Sequence, residues 1–270
     1  MNLTHRAALE KLADMAGEIA IKYFRKDELY GMGLKGGRSP LVTKADVEIE
    51  TTLRAYIETH FPEHSIVGEE RGIKDADVSN GGELYTWVID PIDGTSAFAC
   101  GKPTFVTLVA LMKNGAPYMG LISQPILKER WFADDICVNV GAGAVFNGTT
   151  CKAGEADING VIRLSCTTPL MFDEGSQLEK FNKLRSFAGV TSFSGDGYSY
   201  GLLANGHIDI IVEADLKIYD LAAVLPVVKG AGGFITDWDG GEITLYNFTG
   251  NVVATRGRAL HEKALDILRS

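Results

Sequence analysis

Trp87-Val88-Ile89-Asp90-Pro91-Ile92-Asp93-Gly94-Thr95 begins as an apolar run and ends in two carboxylates, a glycine and a hydroxyl. The apolar part reads as a buried strand that delivers Asp90 at its C-terminal edge. Pro91 fixes φ and removes one backbone donor before Asp93 follows. Gly94 permits a tight approach, and Thr95 opens a helix whose first N–H groups suit a phosphate. Open α/β sheets place ligands at the C-terminal ends of their strands, so the pattern points to an α/β protein with a site there. Two aspartates on a rigid turn can converge on one hard cation. An Asx-turn closing a strand would account for the same residues without any ligand.

On the N-terminal side, Thr4 can cap a first helix in which Leu9, Leu12, Met15, Ala16, Ile19, Tyr23 and Phe24 recur at helical spacing. A glycine-rich loop, residues 31–40 with Lys35 and Arg38, separates it from a second helix. That helix opens with Thr43 and Asp46, a capping box with a shortened acidic partner, and carries Val47, Ile49, Leu53 and Ile57. It ends before Phe61-Pro62, and residues 65–68 form the first strand. Further strand signals lie at residues 84–89, 105–111, 118–123 and 129–133, with Asn114-Gly115 as a hairpin turn.

The weakly periodic segment 139–160 reads as a boundary. It divides the chain into an N-terminal α+β domain, residues 1–140, and a C-terminal three-layer α/β domain, residues 141–270. In the latter, strands at 161–165, 208–212 and 234–236 alternate with helices at 177–187, 198–204 and 222–229.

The 270 residues hold 26 Lys plus Arg against 35 Asp plus Glu, a formal charge of −9, and 46% of them are hydrophobic. That balance excludes a disordered or collagen-like chain and argues against a nucleic-acid wrapper. It favours a small partner, or one met by a local feature of opposite sign. Glu10, Lys11 and Asp14 interrupt any leader-like apolar core, and the most hydrophobic run, residues 105–112, is far too short for a membrane helix. Cys100, Cys137, Cys151 and Cys166 are scattered, without a CxxC pair or a histidine at ligand offset. The expectation is a cytoplasmic chain with no membrane and no nucleic-acid partner.

Two more acidic places join the first. Glu69-Glu70 closes the strand at 65–68, and Asp220 stands at the start of a nearly all-apolar helix, where it also reads as a simple cap. Glu70, Asp90, Asp93 and Asp220 could line one pocket only with protons or cations to offset their charge. With oxygen ligands alone, the cation is Mg2+ or Mn2+ rather than zinc.

Glu69-Glu70, the run from Asp90 to Thr95, and Tyr219-Asp220-Leu221-Ala222-Ala223 followed by Ala231-Gly232-Gly233 resemble the signatures of the inositol monophosphatase superfamily. The likeness spans essentially the whole chain. It implies an α/β protein (α+β in some schemes), a layered αβαβα sandwich of the inositol monophosphatase and fructose-1,6-bisphosphatase type, commonly a homodimer. It also implies Mg2+-dependent hydrolysis of a small phosphomonoester, with two or three ions per subunit and Mn2+ as a substitute. By the same resemblance, Glu70, Asp90 and the Ile92 carbonyl match the first metal's ligands, and Asp90, Asp93 and Asp220 the second's. A third, weaker ion leans on Glu70. Thr95 paired with Asp46 matches the pair that orients the attacking water, tuned by Glu70, while the Gly94 and Thr95 amides match the phosphate cradle. Direct attack by water is expected, because enzymes with an aspartyl nucleophile want Asp-x-Asp and this chain has Asp90-x-x-Asp93.

The remaining motifs are most similar to the histidinol-phosphate phosphatase branch: Ser39-Pro40-Leu41-Val42-Thr43, residues 101–108, 124–131, 167–172 and 195–200, and Glu213 with residues 216–220. L-Histidinol phosphate carries an ammonium and an imidazole, which Asp196 and Glu213 could accept. Each also reads as a surface group or a cap, and the inositol branch likewise uses an acid at the Glu213 position. Ser96, Val106 and Gly197 depart from the branch's usual residues. Inositol 1-phosphate or a broad range of sugar phosphates are the alternative substrates. A nucleotide 3′-phosphatase would need an adenine clamp that the sequence lacks, and an RNA-associated regulatory role, known in relatives, sits poorly with the acidic charge.

Overall fold

The computed structural model describes residues 4–26, 33–34, 41–75, 82–140 and 143–270. Lys35, Arg38, Ser39-Pro40 and most of the glycine-rich loop around them lie outside the described residues.

Helix α1 (His5–Tyr23) starts where expected, with the Thr4 hydroxyl accepting the Ala7 N–H at 3.2 Å. The short strands β1 (Gly33–Leu34) and β2 (Leu41–Val42) pair antiparallel and lead into α2 (Lys44–His60). The capping box there is complete: the Thr43 N–H donates to Asp46 Oδ2 at 2.8 Å, and the Thr43 hydroxyl accepts from the Asp46 N–H at 3.5 Å as well as from the Ala45 N–H. Ile49, Leu53 and Ile57 are buried, but Val47, expected beside them, is 42% exposed. Two residues along a helix is about 200° of rotation, so a face built on 45, 49, 53 and 57 turns Val47 to solvent.

Strands β3 (Ser65–Gly68), β4 (Gly72–Lys74) and β5 (Tyr85–Asp93) follow, then helix α3 (Thr95–Ala99). Strands β6 (Val106–Lys113), β7 (Ala116–Gln124) and β8 (Glu129–Asp134) form a meander, succeeded by α4 (Asp135–Val140), β9 (Ala144–Phe146) and β10 (Thr149–Cys151). These make an eight-stranded sheet in the order β10-β9-β8-β7-β6-β5-β3-β4, in which only β3 and β5 run parallel. Asn114 and Gly115 both take positive φ, 53° and 78°, the geometry a tight two-residue hairpin demands. Strand β5 is longer than the apolar run alone suggests. It pairs with β6 as far as Asp90↔Leu108, breaks register at Pro91, and pairs again at Asp93↔Val106. The expected division at residue 140 falls between α4 and β9, and β9 and β10 beyond it still extend this first sheet.

The second sheet is built from β11 (Arg163–Cys166), α5 (Ser176–Phe187), β12 (Val190–Phe193), α6 (Asp196–Ala204), β13 (Ile210–Glu213), α7 (Ile218–Leu221), α8 (Val224–Gly230), β14 (Phe234–Thr236), β15 (Val252–Thr255) and α9 (Arg258–Arg269). Its order is β12-β11-β13-β15-β14, with β12, β11 and β13 parallel. Strands β12 and β15, each four residues long, were not expected. Helix α9 was not expected either, although Leu260, Ala264, Leu265 and Leu268 recur at helical spacing and are all buried.

Burial sorts these elements into five layers. Helices α1 and α2 cover one face of the first sheet, meeting Trp87, Ile89, Val109, Leu111 and Leu121. Helices α6 and α8 fill the space between the sheets, with Trp131, Tyr200, Leu225 and Val228 at the centre. Residues of β13 alternate accordingly: Ile211 faces that middle layer, whereas Ile210 and Val212 pack under α5 and α9. The result is the αβαβα sandwich, and among the described residues no helix is long and apolar enough to cross a membrane.

A charge cluster around the buried Asp209 ties the second sheet to the segment that enters it. Asp209, 3% exposed, accepts from Arg163 Nε and Nη2, both at 2.8 Å, and from Arg256 Nη1 at 2.9 Å. Arg256 reaches on to the Ala153 carbonyl at 2.7 Å. Removing the shared anion leaves Arg256 largely buried without its charge partner, while Arg163 can turn to water, so Asp209→Ala is expected to lose about 2 kcal/mol. Thermal unfolding should then move down by roughly 4–8 °C. A change within the error of the melt would mean that the cluster is a bystander.

Candidate metal and phosphate site

The register break in β5 sets the geometry. Pro91 has no N–H for the ladder, so the strand bulges between Asp90 and Asp93. Asp220, the third residue of α7, reaches in from the other half of the chain while its carboxylate accepts the Lys217 N–H at 2.6 Å. It is therefore both a cap and a member of the cluster. One oxygen from each of Asp90, Asp93 and Asp220 lies within 4.8 Å of the other two, and among the described residues no other group of three such side chains converges in this way.

Among the described residues, two backbone donors and the charge of Lys217 oppose the trio's negative charge without cancelling it. Asp90 is 1% exposed, and its Oδ1 is buried without a hydrogen-bond partner. Burial, then the charges of Glu69, Asp93 and Asp220, push its pKa well above the carboxylate range. Asp93 is raised by burial and by Asp196 and Asp220, against one backbone donor, the Gly197 N–H. Asp220 is pushed up to about 7, chiefly by burial. Buried carboxylate oxygens with raised affinity for positive charge, one of them on Asp90 without any hydrogen-bond partner, are what a hard divalent cation requires. The residues present fit Mg2+ or Mn2+.

Asp46 stands nearby with Oδ2 engaged by Thr43 and Oδ1 buried without a partner. Burial raises it to about 6, the bonds from Thr43 opposing and the charge of Glu70 adding to the rise. Glu70 stands outside the aspartate trio, and of the two turn glutamates it is Glu69 whose charge bears most on Asp90. The Thr95 hydroxyl donates to the Ile92 carbonyl at 3.0 Å. Thr95 and Asp46, expected together to orient the attacking water, are each hydrogen-bonded to a residue three positions back in the chain. A threonine opening a helix finds the carbonyl three residues back within easier reach.

Gly94 has φ 84° and ψ 40°, and a Cβ placed on it would lie 3.1 Å from Asp196 Oδ2 and 3.3 Å from the Phe105 backbone. The turn thus needs glycine twice over, for its dihedral and for the space. It opens toward Asp196 and leads into α3, whose first amides have no carbonyl four residues earlier.

Asp196 and Glu213, the expected substrate contacts, do come together. Asp196 is pushed up to about 7 by burial and then by Glu213, with Thr167 and Lys102 acting in the opposite sense. Glu213 is fully engaged: it accepts from the Thr167 N–H at 3.1 Å, the Thr167 hydroxyl at 2.5 Å and the Tyr200 hydroxyl at 2.7 Å. It is a buried anchor, and Asp196 is the acid left facing the cradle. Thr167, Tyr200 and Lys102 carried no role in the sequence reading. Thr167 follows the C-terminal end of a parallel strand, and that position was the available signal. Gly197 is explained by its contact: a Cβ there would overlap the Asp93 carboxylate.

Known proteins bear on this site. The chain is 38% identical over 263 residues to the bifunctional phosphatase IMPL2, chloroplastic, of Arabidopsis thaliana, covering 95% of this chain and 72% of that one. It is 32% identical over 268 residues to a histidinol-phosphatase of Mycobacterium tuberculosis, covering 96% and 95%. The solved structure of an inositol monophosphatase from Zymomonas mobilis superposes with a TM-score of 0.83 at 38% identity, over 97% of this chain and 96% of that one. The profile of the inositol monophosphatase family matches residues 2–270, and the chain belongs to that family.

Proposed function

We propose that this phosphatase hydrolyses L-histidinol phosphate to L-histidinol and phosphate, with Mg2+ as its cofactor. The observation that carries the substrate is Asp196, an acid held against the phosphate cradle beside a second, buried acid. A cationic leaving group relieves that excess of negative charge, and a neutral polyol does not. The similarity to a histidinol-phosphatase over nearly all of both chains supports the same reading.

Asp90, Asp93 and Asp220 would hold the cations, with the Ile92 carbonyl and the turn at Glu69 and Glu70 as further oxygen donors. Bound there, Mg2+ supplies positive charge for the phosphoryl oxygens and lowers the pKa of water. The Gly94 and Thr95 amides orient the phosphate. Asp46, with its unpartnered oxygen, and the Thr95 hydroxyl hold the attacking water, and Asp46 is the group poised to take its proton. Thr167 and Tyr200 keep Glu213 fixed, so that Asp196 meets the ammonium or imidazole of the leaving alcohol.

Initial rates of phosphate release from L-histidinol phosphate and myo-inositol 1-phosphate, measured side by side at saturating Mg2+, test the reading. The expected kcat/KM ratio is at least about 100 in favour of histidinol phosphate, some 2.7 kcal/mol of discrimination. Asp196→Asn should shrink that ratio while leaving the inositol phosphate rate within a few fold. Equal rates, or a preference for the inositol ester, would overturn the substrate assignment.

A further inference from the structure

We infer that Glu50 is a positioning residue: from α2 it grips the backbone of the acidic turn at residues 69–71 and holds that turn against the aspartate trio. This rests on the metal-dependent reading above.

Glu50 is fully buried, and its oxygens serve chain far away in sequence. Oε2 accepts the Glu70 N–H at 2.7 Å, and Oε1 accepts the Arg71 N–H at 3.1 Å. Arg54, one helical turn on, balances the charge with its Nε 2.7 Å from Oε1 and donates its other arm to the Gly72 carbonyl. A helix pair four residues apart needs none of these outside bonds to exist. Here the pair closes around the turn, contacting the backbone of three consecutive residues. Gly68 fits the same account, since a Cβ there would overlap the Glu50 carboxylate.

The spacing on α2 gives the grip its purpose. Asp46 and Glu50 are one turn apart, so they share a face. One oxygen of Asp46 is buried without a partner at the site, and Glu50 sets the turn whose glutamates act electrostatically on Asp90 and on Asp46. A single rigid helix therefore fixes the water-holding acid and the acidic turn in one frame. Outer groups that orient metal ligands are typically worth about 10–100-fold in metal affinity.

The test is Mn2+ affinity of the full chain, measured by calorimetry for the wild type and for Glu50→Gln, with Glu50→Asp carrying the same comparison should the glutamine variant fail to fold. Glutamine gives up one of the two acceptors, and aspartate falls short of the turn. Affinity is expected to fall about 10-fold or more in either variant. Excess Mg2+ should restore most of kcat. Asp209→Ala, destabilised at a distance, should keep wild-type affinity and so separates positioning from loss of fold. In a Glu69→Gln, Glu70→Gln background, Glu50→Gln should add little further loss, the coupling expected if it acts through those residues. Unchanged Mn2+ affinity in the Glu50 variants, or full additivity in that cycle, overturns the inference. Failure of the wild type to bind Mn2+ at all would instead overturn the metal reading on which it rests.

Discussion

Asp90→Asn should retain less than about one per cent of wild-type phosphate release at saturating Mg2+. The side chain is buried, one of its oxygens has no partner, and Glu69, Asp93 and Asp220 crowd it with like charge. Asparagine keeps the shape but removes the charge and turns an amide donor into a space built for cations. The same change removes repulsion from the metal-free protein. Without divalent ions, the variant should therefore melt no lower than the wild type. Loss of turnover with no loss of apo stability is a signature that a damaged core cannot imitate. Near-wild-type rates in a Mg2+ titration would remove Asp90 from the chemistry.

The second large effect is the dependence of stability on metal and pH together. Asp90, Asp93 and Asp220 have folded pKa values above their unfolded ones, Asp220 at about 7. The metal-free fold thus binds more protons than the unfolded chain. Its contribution from these groups is fully present below the unfolded carboxylate pKa of about 4 and is lost as pH rises through the folded values. A cation that replaces those protons should then stabilise most at high pH. With Mg2+ at about 100 times its dissociation constant, one site contributes about 2.7 kcal/mol. For a chain of this size that raises the melting temperature by roughly 5–10 °C at about pH 8, shrinking to a degree or two near pH 5. A chelator should reverse the gain, and Asp90→Asn should abolish most of it. Equal shifts at both pH values would mean that the ion binds elsewhere.

What could be read in advance was what is local. The β5 motif announces itself because a strand, a proline and a glycine impose their geometry within nine residues. The Thr4 and Thr43 caps and the Asn114-Gly115 turn are equally self-contained. Asp220 was legible both as a cap and as a member of the acidic set; the structure shows the cap and brings its carboxylate within 4.8 Å of those of Asp90 and Asp93. What stayed hidden depends on partners far along the chain. Glu213 is saturated by Thr167, 46 residues earlier, so its pairing could not be seen from either neighbourhood. Which of Glu69 and Glu70 acts on Asp90 depends on how Glu50 holds the turn from 20 residues away. The Thr95 hydroxyl bonds the Ile92 carbonyl, a contact that the bulge after Asp90 brings within reach. Strands β12 and β15 are too short to show a pattern of their own and exist because the parallel core of the second sheet recruits them.

The most direct test of the account is the place of the metal. Crystals grown with Mn2+ and measured at its absorption edge should show an anomalous peak between the carboxylates of Asp90, Asp93 and Asp220, absent from Asp90→Asn. Mn2+ bound only elsewhere, with those three carboxylates free of it while phosphate release still depends on the ion, would contradict the assignment of the site.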